Sequence, residues 1–345
     1  MKIGLQLGYW GAQPPSSALE RLIEAERLGF DTVFTAEAYG SDALTPLAWW
    51  GSSTSKIKLA TSIIQMSART PTAIAMAAMT LDHLSGGRFA LGLGVSGPQV
   101  VEGWYGQPFA QPLARTREYV EVIRRVLARS EPVVGPGPHH EIPYSGAGAT
   151  GLGKPLRSIV HPLRSDIPIY LGSEGPKNVA LTAEIADGWL PLYYSPRAAA
   201  MYKGWLEEGF AAPGARRSAD DFEIMATVTV VVTDRRDEVL ESLKPMVGLY
   251  VGGMGAKEVN FHKNVFARMG YESEAETIQD LYLAGRKQEA IALIPTQMVS
   301  DISLVGTAEQ IRDELPIWEE AGVTMIVVGA RDVDEMRKVA EVILG

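Results

Sequence analysis

The 345-residue chain contains no cysteine. That excludes disulfides, thiolate nucleophiles, Cys-ligated zinc and iron–sulfur clusters together. An excess of basic residues is also missing: 32 Lys+Arg face 41 Asp+Glu, a formal charge of −9, whereas nucleic-acid binding requires a basic footprint. No stretch approaches the roughly 20 apolar residues of a membrane span. The run after Met1-Lys2 is cut short by Gly8, Gly11 and Pro14-Pro15, unlike the apolar core of a secretory leader. These features set the expectation of a cytoplasmic protein with a small-molecule substrate, no nucleic-acid partner and no membrane span. Histidine is scarce, with five residues at 83, 139, 140, 161 and 262. His139-His140 reads as a solvated pair in a Gly/Pro-rich loop.

What is present is an alternation of apolar runs and amphipathic segments. Lys2–Gly8, Phe30–Thr35, Ile57–Ile64, Phe89–Gly94, Ile167–Leu171, Gly188–Leu190, Ile224–Val232 and Thr324–Val328 read as strands buried on both faces. Helical patterns separate them at Ser16–Leu28, Pro71–Leu84, Arg115–Ala128, Pro176–Ala186, Pro196–Glu208 and Ala308–Glu320. Ser16 or Ser17 with Glu20 suggests a capping box, and Gly29 a helix terminator. Eight strands alternating with helices at this length predict an α/β fold, a closed (β/α)8 TIM barrel. We read residues 1–345 as one domain with two additions: an irregular insertion about 130–165, rich in Gly and Pro, and a helical one about 244–297. Long irregular loops of the first kind commonly serve as lids or binding loops.

In such barrels the chemistry sits at the C-terminal strand ends. The candidates there are Tyr9 and Trp10; Glu37, Ala38 and Tyr39; Ser62, Ile63 and Gln65; Gly94, Val95, Ser96 and Gly97; Gly172, Ser173, Glu174, Gly175, Pro176 and Lys177; then Trp189, Tyr193 and Tyr194. None forms a His-x-His pair or a carboxylate cluster, which argues against a metal centre. No lysine ends a strand in an apolar setting where a Schiff base would form. A barrel without its own metal or nucleophile borrows reactivity from a cofactor. The Gly172–Lys177 turn, opening a helix with Pro176 at its first position, suits an anion such as phosphate. It is equally compatible with a plain glycine-rich connection. Gly92, Gly94 and Gly97 match Gly-x-Gly-x-x-Gly, but the acidic ribose partner of a dinucleotide fingerprint is missing. Small residues there let a flat ring approach the backbone, or let secondary elements pack closely.

Three stretches carry a family resemblance: Ala60-Thr61-Ser62-Ile63, Asp82–Gly94 (DHLSGGRFALGLG), and Gly175-Pro176-Lys177 followed by Ala183–Trp189 (AEIADGW). With Val305-Gly306-Thr307 and Glu320–Val323 they make the whole chain resemble the luciferase-like monooxygenase superfamily, in its branch that uses the deazaflavin coenzyme F420. Flavin mononucleotide (FMN) relatives share the scaffold, so FMN is the alternative cofactor. The resemblance implies a hydride-transferring oxidoreductase with the ring across the strand tips and a non-proline cis peptide at Ser62–Ile63. It implies cofactor contacts from Glu37, Ser62, Ile63, Gln65, Gly94, Val95, Ser96 and Gly97, and a phosphate on the Gly172–Lys177 turn.

Two departures stand out. Ala38 replaces the histidine of sugar-phosphate and alcohol dehydrogenase relatives, and Pro98-Gln99 replaces an expected acid. Glu37 and Tyr39 are therefore the candidate catalytic residues. Tyr9, Trp10, Trp189, Tyr193 and Tyr194 suggest a wall for a hydrophobic carbonyl or activated alkene in place of a sugar phosphate. A non-catalytic deazaflavin carrier is the further alternative. The smooth apolar helix Pro71–Leu84 lies where relatives dimerise, which implies a homodimer.

Overall fold

The apolar runs become parallel strands, since a strand covered on both faces has no polar side to present. The computed structural model describes residues 1–255 and 257–345. Its strands are β1 (Lys2–Gly8), β2 (Thr32–Thr35), β3 (Lys58–Thr61), β4 (Ile64–Gln65), β5 (Phe89–Gly94), β6 (Ile169–Gly172), β7 (Gly188–Trp189), β8 (Glu223–Thr227), β9 (Thr229–Val232), β10 (Ser303–Gly306) and β11 (Met325–Val328). The order β3-β2-β1-β11-β8-β7-β6-β5 closes through Leu59↔Phe89 and Ala60↔Ala90. This is the (β/α)8 barrel, with β4 resuming the course of β3 and pairing with β5.

Phe34, Ala60, Ala90, Leu190, Met225, Met325 and Val327 fill the barrel, with Ile63 and Tyr170 packed against them. Glycine makes that filling possible. A Cβ on Gly4 would stand 2.8 Å from the Phe34 ring, and one on Gly92 would stand 1.8 Å from the Thr61 carbonyl oxygen. The missing side chain of Gly92 therefore serves the β3–β5 seam, which Thr61 closes with hydrogen bonds to both the carbonyl and amide of Gly92. It does not serve a ligand.

Several expectations need correction. The Ile57–Ile64 run is interrupted at Ser62–Ile63, whose peptide bond is cis. The Ile224–Val232 run divides at Val228: β8 stays in the barrel, while β9 leaves it to pair with β10, a strand absent from our reading. Helices Leu44–Gly51, Pro98–Gly103 and Val333–Leu344 were also absent from it. Gly29 does end the first helix at φ 88°, but Ser17 makes no side-chain cap there. A capping box occurs instead at Thr307 and Gln310.

The helical insertion starts earlier than residue 244, with a helix Arg236–Gly252, and its helices share an apolar core that includes Val247, Phe266, Ile278 and Met298. In the irregular insertion Val133 bridges Leu156, and Arg164 binds Asp82 and the Phe89 carbonyl near the start of β5, so most of the segment lies along the barrel's side and base. Only its stretch near residues 137–140 climbs the helix Pro112–Ala128, where Glu118 accepts from the His139 and His140 amides. No described helix is long and apolar enough to cross a membrane.

Candidate active site

The floor of the barrel mouth is the Ile63 side chain. It lies over two glycines: a Cβ on Gly94 would be 2.8 Å from Ile63 Cδ1, and one on Gly172 3.2 Å from Ile63 Cγ2. Three strand tips thus meet without side chains between them, leaving one apolar shelf. Ser62 is fastened to the neighbouring tip by its amide bond to the Thr35 carbonyl (2.7 Å), and the Glu37 amide returns to the Ile63 carbonyl (3.0 Å).

Glu37 is held tightly. Arg69 Nη1 donates to Oε1 at 2.7 Å and to Oε2 at 2.9 Å, while the Gln65 amide donates to Oε2 at 3.2 Å. Tyr119 in turn donates its hydroxyl to the Arg69 carbonyl. Glu37 thereby ties the β2 and β4 tips together. Arg69 was overlooked, although it stands four residues past Gln65 in the same connection.

On the opposite side, Gly175 caps the helix Pro176–Ile185 without any side-chain hydrogen bond. Its carbonyl accepts from the Asn178 and Val179 amides. The positive helix end and its free donors face the mouth. Ser173 turns its hydroxyl inward to Thr182 (2.9 Å), so only its backbone is offered to a ligand. Lys177 points to solvent. Val95, Ser96 and Gly97 form the adjoining rim, with Ser96 at φ 65°.

Glu174 meets a partner from the helical insertion: its Oε1 is 2.8 Å from Nδ1 of His262, yet neither His262 Nδ1 nor Glu174 Oε2 has a directed hydrogen bond. His262 sits among tyrosines, its ring centroid 5.0 Å from Tyr250 and 6.2 Å from Tyr193. Tyr250 also lies beside Tyr9. Burial, with Tyr250 and Glu174 nearby, pushes the Tyr193 phenol well above its usual range, and burial raises Tyr250 likewise. Both hydroxyls therefore keep their protons at neutral pH. His262 and Tyr250 carried no signal in the sequence, because the insertion has no periodic relation to the barrel.

Of the proposed wall, Tyr9 and Tyr193 reach the mouth. Trp10 lies on the rim, 6.2 Å from Trp50. Trp189 and Tyr194 do not face the mouth: each is at most 2% exposed within the layer between barrel and helices, packed against Tyr202. Successive side chains along a strand point to opposite faces, and Leu190, the residue after Trp189, is the one that points into the barrel. Tyr39 is 60% exposed and reaches Trp104 at 6.4 Å. Phe109, from the same loop as Trp104, meets Phe261 of the insertion at 6.5 Å. The loop 104–111 thus links the β2 tip to the helical insertion through Trp104 and Phe109.

Comparison with known proteins agrees with this geometry. Residues 3–325 match the family described as luciferase-like monooxygenase. The chain is 61% identical over 343 residues, 99% of both chains, to a Mycobacterium tuberculosis protein provisionally named a coenzyme F420-dependent oxidoreductase. It is 29% identical to the 5,10-methylenetetrahydromethanopterin reductase of Methanopyrus kandleri, over 95% of this chain and 93% of that one. The solved structure of the coenzyme F420-dependent tetrahydromethanopterin reductase from Methanopyrus kandleri superposes with a TM-score of 0.78 at 26% identity, covering 99% of this chain and 98% of that chain. The chain belongs to the luciferase-like monooxygenase family.

Proposed function

We propose that this protein is a coenzyme F420-dependent oxidoreductase that moves hydride between the deazaflavin and a hydrophobic carbonyl or activated-alkene substrate. The observation that carries the reading is the division of the mouth into an apolar shelf at Ile63 and an uncapped helix start at Gly175. A flat ring bearing a phosphate tail needs both. The residues fit that group: the shelf of Ile63, Gly94 and Gly172 would lie beneath the ring, and the backbone of Ser173, Glu174 and Gly175 would take the phosphate. Gln65 Oε1, buried without a partner, offers an acceptor beside the shelf. When bound, the coenzyme supplies the carbon that gives or accepts hydride.

The chain's own residues position, donate and exclude. Tyr193 and Tyr250 stay protonated and therefore act, with Tyr9 beside them, as hydrogen-bond donors toward a substrate oxygen, polarising it without ionising. Glu37, engaged by Arg69, keeps the β2 and β4 tips in register. The contacts of Trp104 with Tyr39 and of Phe109 with Phe261 shield the mouth from water. Ala38 and Pro98-Gln99, which carry no acid or base, favour a second reading as a deazaflavin carrier.

Fluorescence titration of apoprotein with F420 and with FMN tests the assignment. Micromolar F420 binding, with FMN at least tenfold weaker, is the expected result, and tight FMN binding without F420 binding reverses it. Reduced F420 consumed by at least one member of a panel of cyclic enones and ketones favours the enzyme over the carrier, and no turnover across the panel favours the carrier.

A further inference from the structure

A second concavity adjoins the mouth on the side away from the tyrosines. Its open volume, counting the space at its entrance, is about 380 Å³, and Met66, Ser67, Val95, Phe109, Arg115 and His140 line it. Met66 and Ser67 follow β4 directly and Val95 follows β5, so the cavity shares a wall with the shelf.

Of its polar groups, Thr116 and Tyr119 spend their hydroxyls on the Pro112 and Arg69 carbonyls, while Ser67 and Arg115 are unspent. Ser67 Oγ is buried with no partner. The acids nearest Arg115 on its own helix are committed elsewhere, Glu118 to the His139 and His140 amides and Glu121 to Arg125. Among the described residues Arg115 makes no ion pair within 4.0 Å. His140 packs edge-on against Tyr119, with ring centroids 5.3 Å apart, so the histidine pair is not solvated as the sequence suggested. Burial first, and the charge of Arg115 second, lower the His140 pKa. The imidazole is therefore neutral at pH 7, and the guanidinium is the positive charge of the cavity. Such a half-buried cation with an idle hydroxyl, walled by Met, Val and Phe, is the complement of a carboxylate or phosphate on an apolar neck.

We propose that this cavity is an anion-recognition annex to the active site, in which Arg115 and Ser67 bind a carboxylate or phosphate carried on an apolar chain. The anion belongs either to the substrate or to the acidic tail of the coenzyme. In the latter case the inference rests on the F420 assignment.

Calorimetric titration of apoprotein with octanoate and with octanol reads the annex without any coenzyme. Octanoate is expected to bind wild type at least tenfold more tightly than octanol, R115M to abolish that preference, and R115K to retain most of it. S67A gives a several-fold loss. Arg115 has no ion pair, so R115M folds with an unchanged melting temperature. F420 and its fragment lacking phosphate and acidic tail then separate the sources. A tenfold loss for F420 alone in R115M assigns the coenzyme tail. Unchanged F420 binding, with R115M losing the preference for acid-bearing over esterified enones, assigns the substrate. Equal binding of octanoate and F420 by wild type and R115M overturns the annex. Failure of wild type to bind F420 sinks the cofactor assignment and leaves the octanoate comparison readable.

Discussion

The two ends of this barrel treat polar groups in opposite ways. At the base, where strands begin, charges are matched: Lys2 with Glu223, Lys58 with Asp31, Arg164 with Asp82, and Asp187 with Arg124, Arg216 and Arg217. At the mouth Glu37 is paired with Arg69, but among the described residues Gln65 Oε1 and Ser67 Oγ are buried without partners, and Glu174 Oε2 and His262 Nδ1 lack a directed hydrogen bond although the two side chains meet at 2.8 Å, against Arg124 Nε at the base. An unpaired buried polar group costs about 1–3 kcal/mol, so a fold tolerates several in one place only where something else gains from them. The base holds the barrel together, and the mouth is held open for a ligand. The two ends should therefore respond differently to substitution.

The largest effect belongs to the base. Asp187 is 4% exposed and binds three arginines as well as the Ile169 amide. Removing one partner of a buried ion pair costs 3–5 kcal/mol, and because the arginines are partly solvated we expect D187A to lose about 3 kcal/mol. Thermal unfolding should fall by several degrees while F420 affinity of the folded protein is unchanged. Burial alone would raise the Asp187 pKa, but Arg124, the Ile169 amide and Arg216 outweigh it and hold it below the usual carboxylate range. A depressed carboxylate stabilises the fold above its unfolded pKa and ceases to do so as pH falls through the folded one. Acid unfolding below about pH 4 should accordingly be shallower in D187N. A D187A protein as stable as wild type, but unable to bind F420, would invert the division of labour between the ends.

The same contrast explains what the sequence made legible. Base and barrel are built from periodic patterns, so the eight strands and the alternation with helices could be read directly. Side-chain direction over a two-residue strand could not, and Trp189 and Tyr194 accordingly fell on the wrong face. At the mouth, Gly172–Lys177 and Ser62–Ile63 were visible because the chain itself delivers them to strand tips. Arg69, Tyr250, His262 and Arg115 reach the site through tertiary packing of connections and insertions, which no local pattern encodes. The ion pair of Glu37 with Arg69 was not legible either, because the two lie 32 residues apart.

An intermediate effect sharpens the reading of the shelf. Gly94→Ala places a methyl 2.8 Å from Ile63 Cδ1 and 2.9 Å from Cγ1, both atoms of a side chain free to swing toward the mouth. Overpacking costs about 1–3 kcal/mol when nothing can give. Here the displaced group moves into the ligand's space, so the penalty appears in binding. We expect at least a tenfold loss of F420 affinity, about 1.4 kcal/mol, and a melting temperature within a degree or two of wild type. A large drop in stability with unchanged affinity would mean that Ile63 belongs to the packed core alone and supports no ring.

The smallest effect is the most discriminating. The helix Ala308–Glu320 begins with a complete capping box, whereas Pro176–Ile185 begins with bare Gly175 at φ −91°, ψ 155°. That conformation suits serine, and a Cβ there meets nothing within 4 Å. Replacing Gly by Ser at an N-cap stabilises a helix by only a few tenths of a kcal/mol. Gly175→Ser should thus leave the protein marginally more stable, because the new hydroxyl accepts from a first-turn amide. That amide is one a bound phosphate would otherwise use, so F420 affinity should fall several-fold while the fragment lacking phosphate binds as before. A gain in stability with F420 binding untouched would mean that the helix start is bare for reasons unrelated to anion recognition. A gain bought at the cost of phosphate affinity is the signature of a site kept unsatisfied for its ligand.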